Sequence, residues 1–224
     1  MRKYPGFALV QAALVTAAMT ACCGGGSKCK SDSSSTAGTV ADVSSVLVVV
    51  DVQRDFFSPE GSLYVSGSEE LPAKIAEAAG NYDAVIFTLD WHPGNHCSFA
   101  SEGGQWPSHC VAFTQGAGLA DEFAPVLAKG DGKVFIFKKG QEQDKEQYGA
   151  FEGGLEGTVK DWFESADKVD VCGIAGDYCV KETAANILKY VPSSKVTILT
   201  DLVRSIDGGA ALAQFIKDNS LNEQ

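Results

Sequence analysis

From residue 46 onward the chain alternates short β-branched runs with amphipathic stretches, and no other feature narrows the possible folds as much. Val46 to Asp51 (VLVVVD), Ala84 to Asp90 (AVIFTLD), Lys133 to Phe137 (KVFIF), Val169 to Ile174 (VDVCGI) and Lys195 to Leu199 (KVTIL) read as strands. Their apolar residues run on instead of alternating with polar ones, so both faces must be covered, which is the condition of a parallel sheet. Glu69 to Ala79, Thr158 to Ser165, Cys179 to Tyr190 and Ala210 to Asn219 carry apolar residues at helical spacing. Strand and helix in alternation predict an α/β fold, a three-layer α/β/α sandwich around a mostly parallel central sheet.

In such sheets a ligand sits beyond the carboxyl ends of the strands, and polar residues stand at those positions. Asp51 closes the first run, Asp90 closes the second, Lys139 follows the third, and Cys179 follows the fourth behind Gly176 and Asp177. Singly, each has an ordinary reading: a turn-forming acid, a surface charge, a small core residue. All three histidines of the chain, His92, His96 and His109, lie shortly after Asp90. Imidazole and carboxylate bind divalent transition ions without thiolate, so this cluster reads as a metal site. Beside it, a cysteine, an aspartate and a lysine suggest a thiol nucleophile, a base and a cationic partner, the logic of catalysis at an acyl centre. A helix N-terminus at Cys179 predicts a thiol pKa well below the free value of roughly 8.5.

The first 45 residues are of another kind. Arg2 and Lys3 precede an uncharged, mostly apolar run from Phe7 to Ala21. That is shorter than the roughly 20 helical residues a bilayer requires and fits a secretory signal, residues 1–21. Met19, Thr20, Ala21 and Cys22 resemble the lipobox of bacterial lipoproteins, which predicts Cys22 as the lipidated first residue of an exported, membrane-anchored protein on the periplasmic or surface side of a cell envelope. Residues 22–45 are rich in Gly and Ser, the composition of a flexible tether, and 46–224 form the single folded domain. Of seven cysteines, Cys22, Cys23 and Cys29 belong to the leader and tether, and Cys97, Cys110 and Cys172 read as structural. With 45% apolar residues the domain can build a substantial core, while a net charge of −11 argues against nucleic acid as a partner.

VLVVVDVQRDFFSPEGSL (46–63), TLDWHPGNHCSF (88–99), QWPSHC (105–110), FKKG (137–140), QYGAFEG (147–153) and VDVCGIAGDYCVKETA (169–184) occur in that order. They resemble the signature blocks of nicotinamidases, within the isochorismatase-like cysteine hydrolase superfamily. The resemblance covers the chain from about 46 to its end and implies hydrolysis of nicotinamide to nicotinate and ammonia through a Cys thioester. It implies Asp51, Lys139 and Cys179 as the catalytic triad, and Asp90, His92 and His109 as ligands of one divalent ion, zinc or else iron or manganese. His96 matches a position that is a ligand in some members, and it is expected as a further ligand here. The backbone N–H groups of Ala175 and Cys179 match an oxyanion hole, with a cis Ile174–Ala175 peptide. Phe56, Trp106 and Tyr148 match positions around the pyridine ring, and Leu63 adds an apolar wall. Most members are cytoplasmic, so the export signal departs from the family. Another small-amide hydrolase of the superfamily would have less use for the metal cluster. A non-catalytic metal-binding lipoprotein would have none for the triad, and a binder of nicotinamide without turnover would not need it intact.

Overall fold

The computed structural model describes residues 43–224. The strands are β1 (Ser45–Val50), β2 (Ala84–Asp90), β3 (Val134–Lys139), β4 (Lys168–Ile174), β5 (Val196–Arg204) and β6 (Asn222–Glu223). They form one sheet in the order β3-β2-β1-β4-β5-β6, parallel throughout, the predicted architecture with a short sixth strand added at one edge. From β1 the chain steps outward through β2 and β3, then returns to lay β4 on the other side of β1. Between β1 and β4 the winding reverses, and the crevice at their carboxyl ends is where such a sheet holds a ligand.

The helices are α1 (Arg54–Phe57), α2 (Leu71–Ala78), α3 (Ala124–Leu127), α4 (Gly157–Ser165), α5 (Lys181–Ile187) and α6 (Ala210–Asp218). Successive side chains of a strand point to opposite faces, and β1 shows both halves of the core. Val46, Val48 and Val50 pack with Val159, Trp162 and Phe163 of α4, Ala184 and Ile187 of α5, and Leu212 and Ile216 of α6. Leu47 and Val49 pack with Leu71 and Ile75 of α2 and with Phe123 and Val126 around α3. Each such side chain taken fully out of water stabilises the fold by roughly 1.5–3 kcal/mol, which anchors β1 and hence the turn that follows it.

Three details differ from the sequence-based expectation. Lys139 is the last residue of β3, in register with Asp90 at the end of β2, so hydrogen-bonded strands bring the two side by side. Cys179 precedes α5 and lies in a π-helical turn, Gly176–Val180, a wider turn often found at functional positions. The described residues also begin inside the segment read as tether. Val43 is buried in the core, and the Ser44 carbonyl accepts the N–H groups of Asp167 and Lys168. The signal segment 1–21, Cys22 and the tether as far as residue 42 lie outside the described residues, among which no helix is long and apolar enough to cross a membrane.

Candidate active site

Asp51, Lys139 and Cys179, from three different strand ends, meet at one point. Asp51 follows β1 with φ 49°, a left-handed conformation that a non-glycine residue adopts at a cost of roughly 1–3 kcal/mol and that recurs at functional positions. Its N–H bonds to the Thr88 carbonyl at 3.1 Å and its Oδ1 accepts the Thr88 hydroxyl at 2.6 Å. The other oxygen, Oδ2, accepts no aligned hydrogen bond but lies 2.8 Å from Lys139 Nζ. The same ammonium is 2.5 Å from Asp90 Oδ1 and 3.5 Å from Cys179 Sγ. One buried cation thus serves two carboxylates and a sulfur.

The electrostatics follow from that count. Burial raises the Asp51 pKa above the usual carboxylate range, with the Lys139 charge opposing and the Asp90 charge adding to the rise. For Asp90, burial acts the same way, but Lys139 and His92 outweigh it and hold the group ionised. Burial disfavours the Lys139 ammonium, yet Asp51 and Asp90 overcome this and keep it charged. Burial pushes the Cys179 thiol well above its ordinary range, with Lys139 as the main opposing influence. This runs against the expectation of a pKa lowered by a helix terminus: burial outweighs such an effect, and the Asp51 and Asp90 charges act in the same direction as burial.

The metal-binding character of the histidine region resolves into three residues. Asp90, His92 and His109 offer ligand atoms that all lie within 4.8 Å of one another, with both Nε2 atoms facing Asp90 Oδ2, at 3.6 and 3.9 Å. Each ring is set by its far nitrogen: His92 Nδ1 donates to the Gly140 carbonyl at 2.8 Å and His109 Nδ1 to the Pro107 carbonyl at 2.7 Å. That fixes the tautomer that leaves both Nε2 lone pairs free to bind a metal. Gly140, at φ 65°, can approach only because a Cβ there would overlap the His92 ring. This donor set fits a divalent ion. A second group, Asp51, Asp90 and Cys179, is equally close, but the Lys139 ammonium already stands among them.

His96 stacks on His92 with ring centroids 4.1 Å apart, and its nitrogens turn elsewhere. Its Nε2 lies 3.1 Å from the Lys145 carbonyl, and its Nδ1 lies 2.7 Å from the Ser98 hydroxyl. Cys97 is partly buried, and Cys110 and Cys172 are buried free thiols.

Above these three residues a narrow cavity is lined by Phe56, Leu63, Trp106 and Tyr148 together with Val65, Asp90, His92, His109, Glu146, Gln147, Ala175, Tyr178, Cys179 and Ile206. Trp106 Nε1 donates to the Tyr148 hydroxyl at 3.1 Å, and Tyr178 packs edge-on to Trp106 with centroids 5.0 Å apart. The Ile174–Ala175 peptide is cis, as the resemblance implied.

Sequence reasoning missed the residues that hold this constellation in place. Buried Gln53 donates Nε2 to the carbonyls of Asp90 and Ala117, at 2.8 and 2.9 Å, and accepts the Asp90 N–H at 2.8 Å. Asp55 Oδ2 accepts the N–H of Cys110, the neighbour of His109, at 2.7 Å. Both lie in the same short segment as Asp51, and a polar residue directly after a buried strand was the available signal. Tyr178, Glu146 and Ile206 gave none, because only folding brings them to the cavity.

Residues 45–211 match the Isochorismatase domain, and the chain belongs to the isochorismatase family. Within that family its relatives are nicotinamidases. The nicotinamidase of Acinetobacter baylyi is 35% identical over 189 residues, covering 74% of this chain and 84% of that protein. The nicotinamidase/pyrazinamidase of Mycobacterium tuberculosis is 36% identical over 177 residues, covering 75% and 90%. Among solved structures, PnC1 of L. infantum in complex with nicotinate superposes with a TM-score of 0.71 at 33% identity, covering 83% of this chain and 94% of that one. The pyrazinamidase of Pyrococcus horikoshii in complex with zinc gives 0.67 at 33%, covering 80% and 98%.

Proposed function

We propose that this protein is an amide hydrolase that converts nicotinamide to nicotinate and ammonia. The observation that carries the reading is the single Lys139 ammonium within 3.5 Å of Asp51, Asp90 and Cys179, at the floor of a cavity that also exposes the Asp90, His92 and His109 donors. The resemblance to nicotinamidases supports the choice of substrate.

Asp51 takes the Cys179 proton on Oδ2, the oxygen left without an aligned hydrogen bond, and its raised pKa brings its basicity nearer to the working pH. Lys139 keeps acid and sulfur in register and stabilises the thiolate as it forms. The sulfur attacks the carboxamide carbon, and the N–H groups of Ala175 and Cys179 receive the oxyanion, a contribution of roughly 3 to 4 kcal/mol for each donor. Asp51 returns its proton to the leaving nitrogen, ammonia departs, and a thioester remains. Asp51 then removes a proton from the attacking water, and collapse of the second tetrahedral species releases nicotinate and restores the thiol. Phe56, Leu63, Trp106 and Tyr148 enclose the ring and exclude bulk water. A divalent ion held by Asp90, His92 and His109, zinc on our reading with iron or manganese as alternatives, would supply an anchor that orients the pyridine ring. His96 supports the His92 ring by stacking.

The N-terminal segment adds a location. Cleavage after Ala21 and lipidation of Cys22 would tether the hydrolase to a bacterial membrane on its exported side, with the Gly- and Ser-rich segment after Cys22 as the connection. Mass spectrometry of the native protein should find a lipid-modified Cys22, and an unmodified N-terminus would overturn the anchor. The activity itself is tested by ammonia release from nicotinamide with and without a chelator. Release that the chelator suppresses and added metal restores is expected, and no release from metal-loaded protein would end the reading.

A further inference from the structure

The loop between β5 and α6 is bolted to the turn that carries the nucleophile. Gly176 opens that turn, and a Cβ there would overlap Ser205 Oγ and come within 2.8 Å of Val203 Cγ1, so the loop lies directly on its backbone. Asp177, 7% exposed, accepts the N–H of Ile206 on Oδ1 and that of Asp207 on Oδ2, both at 3.0 Å. Asp207 in turn accepts the N–H groups of Gly209 and Ala211 at the start of α6, at 2.7 and 2.8 Å. Ile206 is thus fixed from both sides through its backbone. The residue is nevertheless 49% exposed and lines the cavity beside Ala175 and Cys179. Core packing does not account for a branched apolar side chain left half in solvent on a backbone pinned by a buried carboxylate. A wall facing a ligand does.

We infer that Ile206 sets which ring substituents the cavity admits, and that Asp177 is the positioning residue that holds this wall at a fixed distance from Cys179. The inference rests on the proposed amide hydrolysis and deepens it by naming the discriminated class, aromatic carboxamides that carry a substituent on the ring. Asp177 belongs to the same turn as Cys179, so nucleophile and wall move as one unit. A rigid wall discriminates by size, and in an apolar pocket one carbon changes relative rates by on the order of 10-fold or more.

The test compares kcat/KM for nicotinamide, ring-methylated nicotinamides and quinoline-3-carboxamide. Ile206→Ala should weaken turnover of nicotinamide severalfold, mainly through KM, and raise the ratio of at least one substituted amide to nicotinamide by about 10-fold. Ile206→Phe should lower that ratio. Asp177→Asn removes one of the two acceptors and should move the ratio in the direction of Ile206→Ala. In the double variant the shifts should not add, because the two residues act through one wall. Unchanged ratios in both Ile206 variants would overturn the proposal. An Asp177→Asn protein that melts lower at an unchanged ratio would show that carboxylate to be structural only. Calorimetric binding of nicotinate and its ring-methylated forms reads the same selectivity without turnover. A wild-type protein that releases no ammonia therefore defeats the hydrolase reading while the wall is still tested.

Discussion

The sheet holds two clusters of the same composition, an aspartate, a lysine and a cysteine, and their placement and burial tell them apart. Asp51, Lys139 and Cys179 come from three strand ends at the carboxyl edge. Lys168, Asp170 and Cys172 sit at alternate positions of the single strand β4, and therefore on one face. In each cluster one carboxylate oxygen lacks a hydrogen bond, Asp51 Oδ2 and Asp170 Oδ1. Asp170 is otherwise well served, taking the Tyr82 hydroxyl at 2.5 Å and the Lys168 ammonium at 2.9 Å. That lysine has a side chain 51% exposed, so solvent shares its charge, whereas Lys139 is fully buried and shared by two acids. Both cysteines are held as thiols by burial. Cys179 opens on a cavity and Cys172 is 0% exposed. An acid, a base and a thiol become a site when they converge from different strands on space a substrate can enter.

The sharpest way to break the comparison is to remove each cysteine. Cys179→Ala should abolish ammonia release while the melting transition stays cooperative, and Cys172→Ala should keep the activity and lose only about 1 kcal/mol of stability. An active Cys179→Ala protein would dissolve the distinction. Next come the acids. Asp51→Asn should cost on the order of 10²–10⁴ in kcat by removing the base. Asp170→Asn should leave kcat within about twofold and cost roughly 1–3 kcal/mol in denaturant unfolding, the penalty for disturbing a buried polar pairing.

Metal content sharpens the account of the histidines. His92→Ala and His109→Ala should each lower metal stoichiometry after dialysis by roughly 10-fold or more, whereas His96→Ala should retain the ion and lose affinity by roughly 10-fold, the low end of the scale for a residue that acts through a ligand. Equal loss in all three would place His96 in the coordination sphere. The smallest effect is expected at the amino edge of the sheet. Hydrogen bonds from the side chain and backbone of Ser44, then from Ser45, hold the Asp83 carboxyl down to about 2, below its unfolded value near ~3.9. Its contribution is complete above the unfolded value and lost as pH falls toward the folded one. The melting-temperature gap between wild type and Asp83→Asn should therefore be constant from pH 7 to 5 and narrow below roughly pH 4. A gap that widened on acidification would refute the assignment.

Much of the fold was legible because its cause is local. A β-branched run with no polar alternation calls for cover on both faces, and five apolar runs separated by helical spacing leave little besides a parallel sandwich, although the edge strand β3 lacks that cover at Phe135 and Ile136. The short β6 and the helices α1 and α3 were not legible, since segments so brief carry no periodicity. For the site, Asp51 and Asp90 were readable as acids that end apolar runs, and the histidines by their spacing. The acidity of Cys179 was misjudged because helix position is a local property, while desolvation and the Asp51 and Asp90 charges are not. Gln53, Asp55 and Asp177 act on backbone groups far along the chain, which no local pattern discloses.

The order of side chains already told which residues could do chemistry and at which edge of the sheet they would stand, because strand period and strand ends are written in it. Folding was needed to set one ammonium between two carboxylates and a sulfur, to turn the free nitrogens of His92 and His109 to Asp90 while His96 turns away, and to bring Ile206 to the cavity. Those outcomes depend on distances across strands and loops, and on the desolvation that packing imposes. Neither exists until the chain has folded.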